Sequence, residues 1–371
     1  MSILRAKTLD LKETSPLTKE RKENSIQNEK EALENKVFLD SYPRRLVLEM
    51  TNACNIHCVM CGRNAADFKP TIFDIEWLKY FESITDKIEE VTLLGWGEPT
   101  LHPHFSDFLK WADEKGLRKF FCTNGSRLSE LKEDIFRYKV DLLTVSLDGA
   151  NKETNNRIRA GADFEKITNS IKAIVEEKRR LGVNYPYLSI VMTMMKSNYR
   201  EFPDFIRLAG ELGIEEAKGV YLTVFEERMM PECMEGMQKS VKEVFGEAEA
   251  VGKQLGIQVK IPYLQGEDVA KENAHKDCYV GWRDFFLGSD GYVRSCMSTS
   301  KKLFHISKYQ TFDDMWNSEE YREFRQCVNT ENMELPCRNC YQASFANWNR
   351  KDSFVQIGNK FSPDWEVKNE N

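Results

Sequence analysis

Three of the chain's ten cysteines fall inside one eight-residue loop. They are Cys54, Cys58 and Cys61, separated by three residues and then by two. A strand-like run, Arg45–Met50, leads directly into the loop. Three thiolates on a short loop hold three corners of an iron–sulfur cube and leave the fourth iron without a protein ligand. An open metal position is where a small molecule binds and reacts, as at catalytic zinc sites. The alternative is a structural zinc knuckle. Such knuckles usually show paired C-x2-C units, and no fourth Cys or His stands beside this triplet in that arrangement. His57 lies inside the loop but would close a zinc site only with strained geometry.

The 371 residues suffice for one large domain and a smaller one. The formal net charge of -6 disfavours a general nucleic-acid binder. No run of eighteen apolar residues is present, so a membrane span is not expected. Residues 1–41 are rich in Lys, Glu and Asn and lack the apolar core of a secretory signal. They read as a charged, solvated N-terminal arm with one helix near Leu17–Phe38, too short and polar for a folded peptide-binding domain. The cysteines then read as thiols and metal ligands in a cytoplasmic protein rather than as disulfides.

From Tyr42 onward strands and helices alternate. Apolar β-rich runs fall at Leu46–Met50, Val91–Leu94, Lys119–Cys122, Leu142–Leu147, Leu188–Met194 and Val220–Val224. Helical patterns lie between them at Ile75–Ile84, Phe105–Lys115, Leu128–Tyr138, Phe164–Leu181 and Glu201–Leu212, with Gly182 and Gly213 just beyond two of them. Six such strands imply an α/β fold with a parallel sheet buried on both faces, its chemistry on the loops after the strands. Three successive strands do end in polar, glycine-containing turns: Gly95-Trp96-Gly97-Glu98-Pro99, Cys122-Thr123-Asn124-Gly125 and Ser146-Leu147-Asp148-Gly149.

Taken together, the cysteine loop and these turns over residues 44–225 resemble the radical S-adenosylmethionine (SAM) enzymes. The resemblance implies a partial (β/α)6 TIM-like barrel over residues 42–225. It implies a [4Fe-4S] cluster on Cys54, Cys58 and Cys61, SAM chelating the fourth iron, and a 5′-deoxyadenosyl radical that abstracts hydrogen from substrate. Residue by residue, Gly97, Glu98 and Pro99 match the turn that meets the SAM amino group, with Glu98 its ion-pair partner. Ser146 and Arg159 match the positions that hold the SAM carboxylate. Thr123, Asn124 and Asp148 fall near the ribose, Met192 or Thr193 near the adenine. Met60 stands where the family often has an aromatic residue. Trp96 replaces the first of the family's paired glycines.

Residues 226–277 read as a helical connection, with an amphipathic helix at Lys239–Leu255. Cys278, Cys296, Cys337 and Cys340 follow, the first two flanking a hairpin pattern around Ser289-Asp290-Gly291. A helix pattern, Thr311–Gln326, leads to the closing C-x2-C pair. This arrangement resembles the twitch domain, the shortened relative of the SPASM extension. The resemblance implies a small α+β domain over 278–345 with one auxiliary [4Fe-4S] cluster on those four cysteines, and a tail over 346–371. Four thiolates would also suit zinc.

A fully ligated auxiliary cluster accepts an electron more readily than it binds substrate. The expected reaction is therefore oxidation of a small polyol, sugar or aminocyclitol, with a flavodoxin or ferredoxin as electron donor, Asp284 as a candidate base and Arg283 to orient the hydroxyl. The alternatives are a redox-neutral epimerase with Cys233 or Cys327 as hydrogen donor, and a maturase of a ribosomally made peptide. An iron–sulfur scaffold or carrier would leave the glycine-rich turns without a purpose.

Overall fold

The computed structural model describes residues 17–65, 69–262, 278–296 and 301–332. Its strands are, in chain order, β1 (Arg45–Leu48), β2 (His57–Cys58), β3 (Glu90–Leu93), β4 (Arg118–Thr123), β5 (Leu142–Ser146), β6 (Arg159–Ala160), β7 (Tyr187–Met194), β8 (Glu216–Tyr221), β9 (Gln258–Lys260), β10 (Asp284–Leu287), β11 (Tyr292–Arg294) and β12 (Lys302–His305). Ten of them form one sheet in the order β12-β11-β10-β1-β3-β4-β5-β7-β8-β9. From β10 through β9 every neighbouring pair is parallel. This is the partial (β/α) architecture that the alternating pattern implies, with the edges left unjoined among the described residues.

The helices cover one face of the sheet. Those at Phe105–Glu114, Leu128–Arg137, Phe164–Leu181 and Phe202–Leu212 bury apolar stripes at helical spacing, among them Ile167, Ile171 and Ile174. The third ends at Gly182 with φ +66°, the left-handed turn that a residue without Cβ adopts at no steric cost. On the strands the period is two. Leu188, Ile190, Met192 and Met194 of β7 face the helices and are fully buried. Tyr187, Ser189, Val191 and Thr193 face a cavity on the other side.

Three elements differ from the sequence reading. The sixth strand starts at Glu216 rather than Val220. Its first half alternates Glu216 and Lys218, on the cavity side, with the small Ala217 and Gly219, so it carries no apolar run to read. A short strand, β9, appears inside the segment expected to be helical, after the helix Gln238–Leu255. The helix pattern at 311–326 is broken at Asn317 into Phe312–Trp316 and Glu319–Cys327, the second capped by Ser318.

The N-terminal segment is the largest correction. Residues 17–41 are not solvated throughout: the expected helix forms over Lys19–Leu33 and packs against the turn Val280–Arg283 with a buried polar face. Arg21 donates to the carbonyls of Thr85, Lys115 and Gly116. Asn24 bonds the backbone of Tyr42 through both ends of its amide, and Asn28 reaches the carbonyl of Trp282 at 2.7 Å. Glu31 accepts from the amides of Asp40 and Ser41 and from the Ser41 hydroxyl. These polar residues look solvent-facing in the sequence, yet each satisfies buried backbone groups that would otherwise be orphaned.

Candidate active site

The cysteine loop is held at the C-terminal end of β1. Asn52 clamps the returning chain, donating to the Lys69 carbonyl and accepting from the Thr71 amide, both at 2.8 Å. His57 and Cys58 form a two-residue antiparallel ladder with Ala160 and Arg159. That ladder sets Arg159 beside Cys58, and a guanidinium N–H points at the Cys58 Sγ, 3.8 Å away. The Asn124 side chain points similarly at Cys54 Sγ, at 3.7 Å, and braces Asn55.

The glycine-containing turn after β3 lies against this loop. The Glu98 amide donates to the Ala53 carbonyl at 2.8 Å. A Cβ at Gly97 would stand 2.2 Å from the Ala53 carbonyl oxygen and 2.4 Å from that of Thr51, so only glycine fits. Both carboxylate oxygens of Glu98 are engaged within the protein. Oε1 accepts from the Thr100 and Thr123 hydroxyls, and Oε2 from the Asn124 amide. Burial raises the Glu98 carboxyl above its ordinary value, and these donors oppose the shift. Glu98 thus ties the turn to the end of β4, and residues 95–97 are presented to the cavity. Pro99, next in the chain, is buried.

Arg159 is fixed from the opposite side by Asp148, with Nε 2.6 Å from Oδ2. Asp148 is fully buried, also accepts from the Thr193 amide, and does not line the cavity. It is placed to position Arg159 rather than to touch a ligand. One residue that the sequence did not mark, Glu49, couples this end of the sheet to the C-terminal hairpin. Its carboxylate accepts from the Trp96 amide and from the Ser289 amide and hydroxyl.

A cavity of about 1680 Å³ opens over these groups. Cys54, Cys58, Met60, Cys61, Gly97, Glu98, Thr123, Asn124, Ser146 and Arg159 all line it. Met192 does not: strand alternation turns it into the helix-facing core, and Val191 and Thr193 take the cavity positions. Cys233 is buried in the core and lines no part of the cavity, so the thiol is not set to meet a substrate there. Outside the cysteine loop, a cysteine that does face the cavity is Cys122, 3.4 Å from the Ser146 hydroxyl. Asp284 is also misplaced as a base. It begins β10, at the end of the sheet away from the cysteine loop, and ion-pairs with Arg45 and Arg283. These two guanidiniums hold its carboxyl well below the usual carboxylate range despite its burial.

Three cavity-facing thiols, two of them approached by N–H donors, fit an iron–sulfur cluster, whose potential is set by such donors and by burial. Burial pushes the Cys58 thiol up to about 12, so a thiolate there requires a cation beside it. At the second set, Asn329 grips the Cys278 backbone from both sides, through its Oδ1 at 2.7 Å and its Nδ2 at 3.1 Å. Cys278 and Cys296 are both half-buried. Cys337 and Cys340 lie outside the described residues.

Comparison with known proteins gives this site and sheet a class, that of S-adenosylmethionine-dependent iron–sulfur radical enzymes. The radical SAM superfamily model matches residues 48–209, and a SPASM model, an iron-sulfur cluster-binding domain, matches 278–341. The chain carries a radical SAM domain and a C-terminal SPASM domain, with S-adenosylmethionine, a [4Fe-4S] cluster and an auxiliary cluster as their cofactors. A tungsten-containing aldehyde ferredoxin oxidoreductase cofactor-modifying protein of Pyrococcus furiosus is 25% identical over 321 residues, 80% of this chain and 86% of that one. The mycofactocin maturase MftC of Mycolicibacterium smegmatis is 28% identical over 176 residues, 46% of this chain and 43% of its own length. Among solved structures, Streptococcus suis SuiB bound to its precursor peptide SuiA superposes with a TM-score of 0.64 at 13% identity, covering 94% of this chain and 79% of SuiB. No helix of the described residues is long and apolar enough to cross a membrane.

Proposed function

We propose that this radical SAM enzyme is a maturase that removes a hydrogen atom from a segment of a peptide substrate. The size of the cavity carries this reading. Small-molecule pockets run to about 300–1,000 Å³, and the space over the cysteine loop is about 1680 Å³. SAM would fill part of that space, and the remainder suits an extended segment better than a small polyol. Resemblance to the mycofactocin maturase MftC and to SuiB, which binds a precursor peptide, supports the same direction.

In this proposal Cys54, Cys58 and Cys61 hold the first cluster, and Cys278, Cys296, Cys337 and Cys340 hold the auxiliary one. With SAM bound, these groups supply the carbon radical that takes the substrate hydrogen and a sink for the electron left behind. The residues of the chain orient and enclose. Arg159, locked by Asp148, offers its guanidinium to the SAM carboxylate. Ser146 lies alongside, and Gly97 lets the turn approach closely. Thr123 and Asn124 stand on the ribose side. Met60 with Val191 and Thr193 walls the adenine. Reducing equivalents come from a flavodoxin or ferredoxin.

A second reading, modification of a cofactor rather than of a peptide, is favoured by the length over which the Pyrococcus furiosus relative matches. One assay separates the two. Anaerobically reconstituted enzyme is given SAM, reductant and an extract of its source cells, and 5′-deoxyadenosine is measured. Stimulation abolished by pretreating the extract with protease supports the maturase. Stimulation that survives protease supports the cofactor or the small-molecule reading, and a ketone product would single out the polyol oxidation.

A further inference from the structure

We propose that Lys218 and Lys260 form a binding site for a carboxylate side chain of the substrate. The inference rests on the maturase reading and adds its recognition chemistry. The two lysines are partners in register on neighbouring parallel strands, β8 and β9, and both line the cavity. The same row continues inward: Lys218 pairs with Val191, and Val191 with Ser146, the residue beside Cys122 and near Arg159.

Among the described residues, neither lysine side chain has a hydrogen bond or an ion pair. The acids lining this half of the cavity each have a partner other than these lysines. Glu215 pairs with Lys178, Glu216 accepts from the Ser189 hydroxyl at 3.0 Å, and Asp141 accepts from the Lys119 amide at 2.8 Å. Two ammonium groups in adjacent registers repel, a cost that a sheet avoids unless something between them repays it. A bound anion repays it, and the cavity leaves room for one.

Distance gives the proposal its content. Strands lie about 4.8 Å apart, so Lys218 stands about 10 Å and Lys260 about 14 Å along the row from Ser146. An extended peptide rises about 3.3–3.6 Å per residue. The lysines would therefore hold an acidic residue about three to four positions from the one lying over Ser146. The same spacing exceeds the span of a small polyol.

The test uses the reconstituted protein with SAM and two fluorescein-labelled decapeptides, (Gly-Glu)5 and (Gly-Gln)5, read by fluorescence anisotropy at low salt. The wild type should bind the Glu peptide at least tenfold more tightly than the Gln peptide. Lys218→Gln with Lys260→Gln should erase that preference, and Lys218→Arg with Lys260→Arg should restore it. Melting temperature and iron content verify that each variant is folded and loaded. Equal binding of the two peptides by the wild type, or a preference that survives the double Gln variant, overturns the site. Glutarate is the second probe. Glutarate binding that the double Gln variant loses, without binding of (Gly-Glu)5, overturns the peptide occupant and the maturase reading with it. Binding of neither probe overturns the lysine site alone and leaves the protease-treated extract assay to decide the maturase reading.

Discussion

The two ends of the parallel sheet handle charge on opposite terms. At the N-terminal end of β1, β4 and β10, charged side chains are paired with one another. Arg44 pairs with Glu89 at 2.7 Å, Arg45 and Arg283 share Asp284, and Lys119 pairs with Asp113 and lies 4.0 Å from Asp141. At the C-terminal end the thiols, the Arg159 guanidinium and the glycine-rich turn face a cavity. Charge closed on itself in this way is architecture. Donors and thiols turned toward open space are equipment for a ligand. The contrast is chemical, because both ends are rich in polar residues.

The contrast is breakable from either side. Asp284→Ala should have the largest effect on stability, because it leaves two guanidiniums without their partner, at about 3–5 kcal/mol for a broken buried pair. The denaturation midpoint should fall while SAM cleavage per folded molecule holds. A loss of cleavage with unchanged stability would return Asp284 to the active site. Gly97→Ala should do the reverse. Its Cβ meets two backbone carbonyls of the cysteine loop, and displacing that loop by about 1 Å should slow deoxyadenosine formation roughly 10²-fold. A fully active Gly97→Ala would mean that the turn does not set the loop.

Glu31→Ala should cost about 1–3 kcal/mol by orphaning the amides of Asp40 and Ser41. Urea titration measures it. A neutral result would make the N-terminal helix the solvated arm that its composition implies. The smallest effect belongs to Asp141→Asn, within about 1 kcal/mol at pH 7, because an amide oxygen still accepts from the Lys119 N–H. Its signature is in pH. Burial raises the Asp141 carboxyl to about 6, so the folded state takes up this proton before the unfolded one does. The wild type should therefore gain stability from this group as pH falls from about 6 to 4, and the Asn variant should lack that gain. Parallel stability curves for the two proteins would contradict it.

The legible parts of this chain were those where one physical requirement dominates. Strands such as Leu142–Ser146 announce themselves by apolar character, and the cysteine loop by ligand spacing that little else needs. Reading failed where two requirements share a segment. On β7 the apolar run gives no phase, so Met192 and Thr193 look equivalent until the pleat turns only Thr193 to the cavity. The start of β8 hides because its cavity positions are Glu216 and Lys218, polar in a strand buried elsewhere. Arg21, Asn24, Asn28 and Glu31 look like a solvated face because a sequence does not show which backbone groups need partners. Asp284 looked like a base beside Cys278 because chain proximity does not reveal at which end of the sheet a strand begins.

The central claim is that the radical chemistry sits on the loop at the C-terminal end of β1. Iron content and SAM turnover after anaerobic reconstitution, compared between the native chain and Cys54→Ala/Cys58→Ala/Cys61→Ala, test it most directly. Two cubane clusters predict about eight irons in the native protein and about four in the variant, with 5′-deoxyadenosine formed by the native protein alone. Deoxyadenosine formation by the triple variant, or an unchanged iron count, would contradict the account.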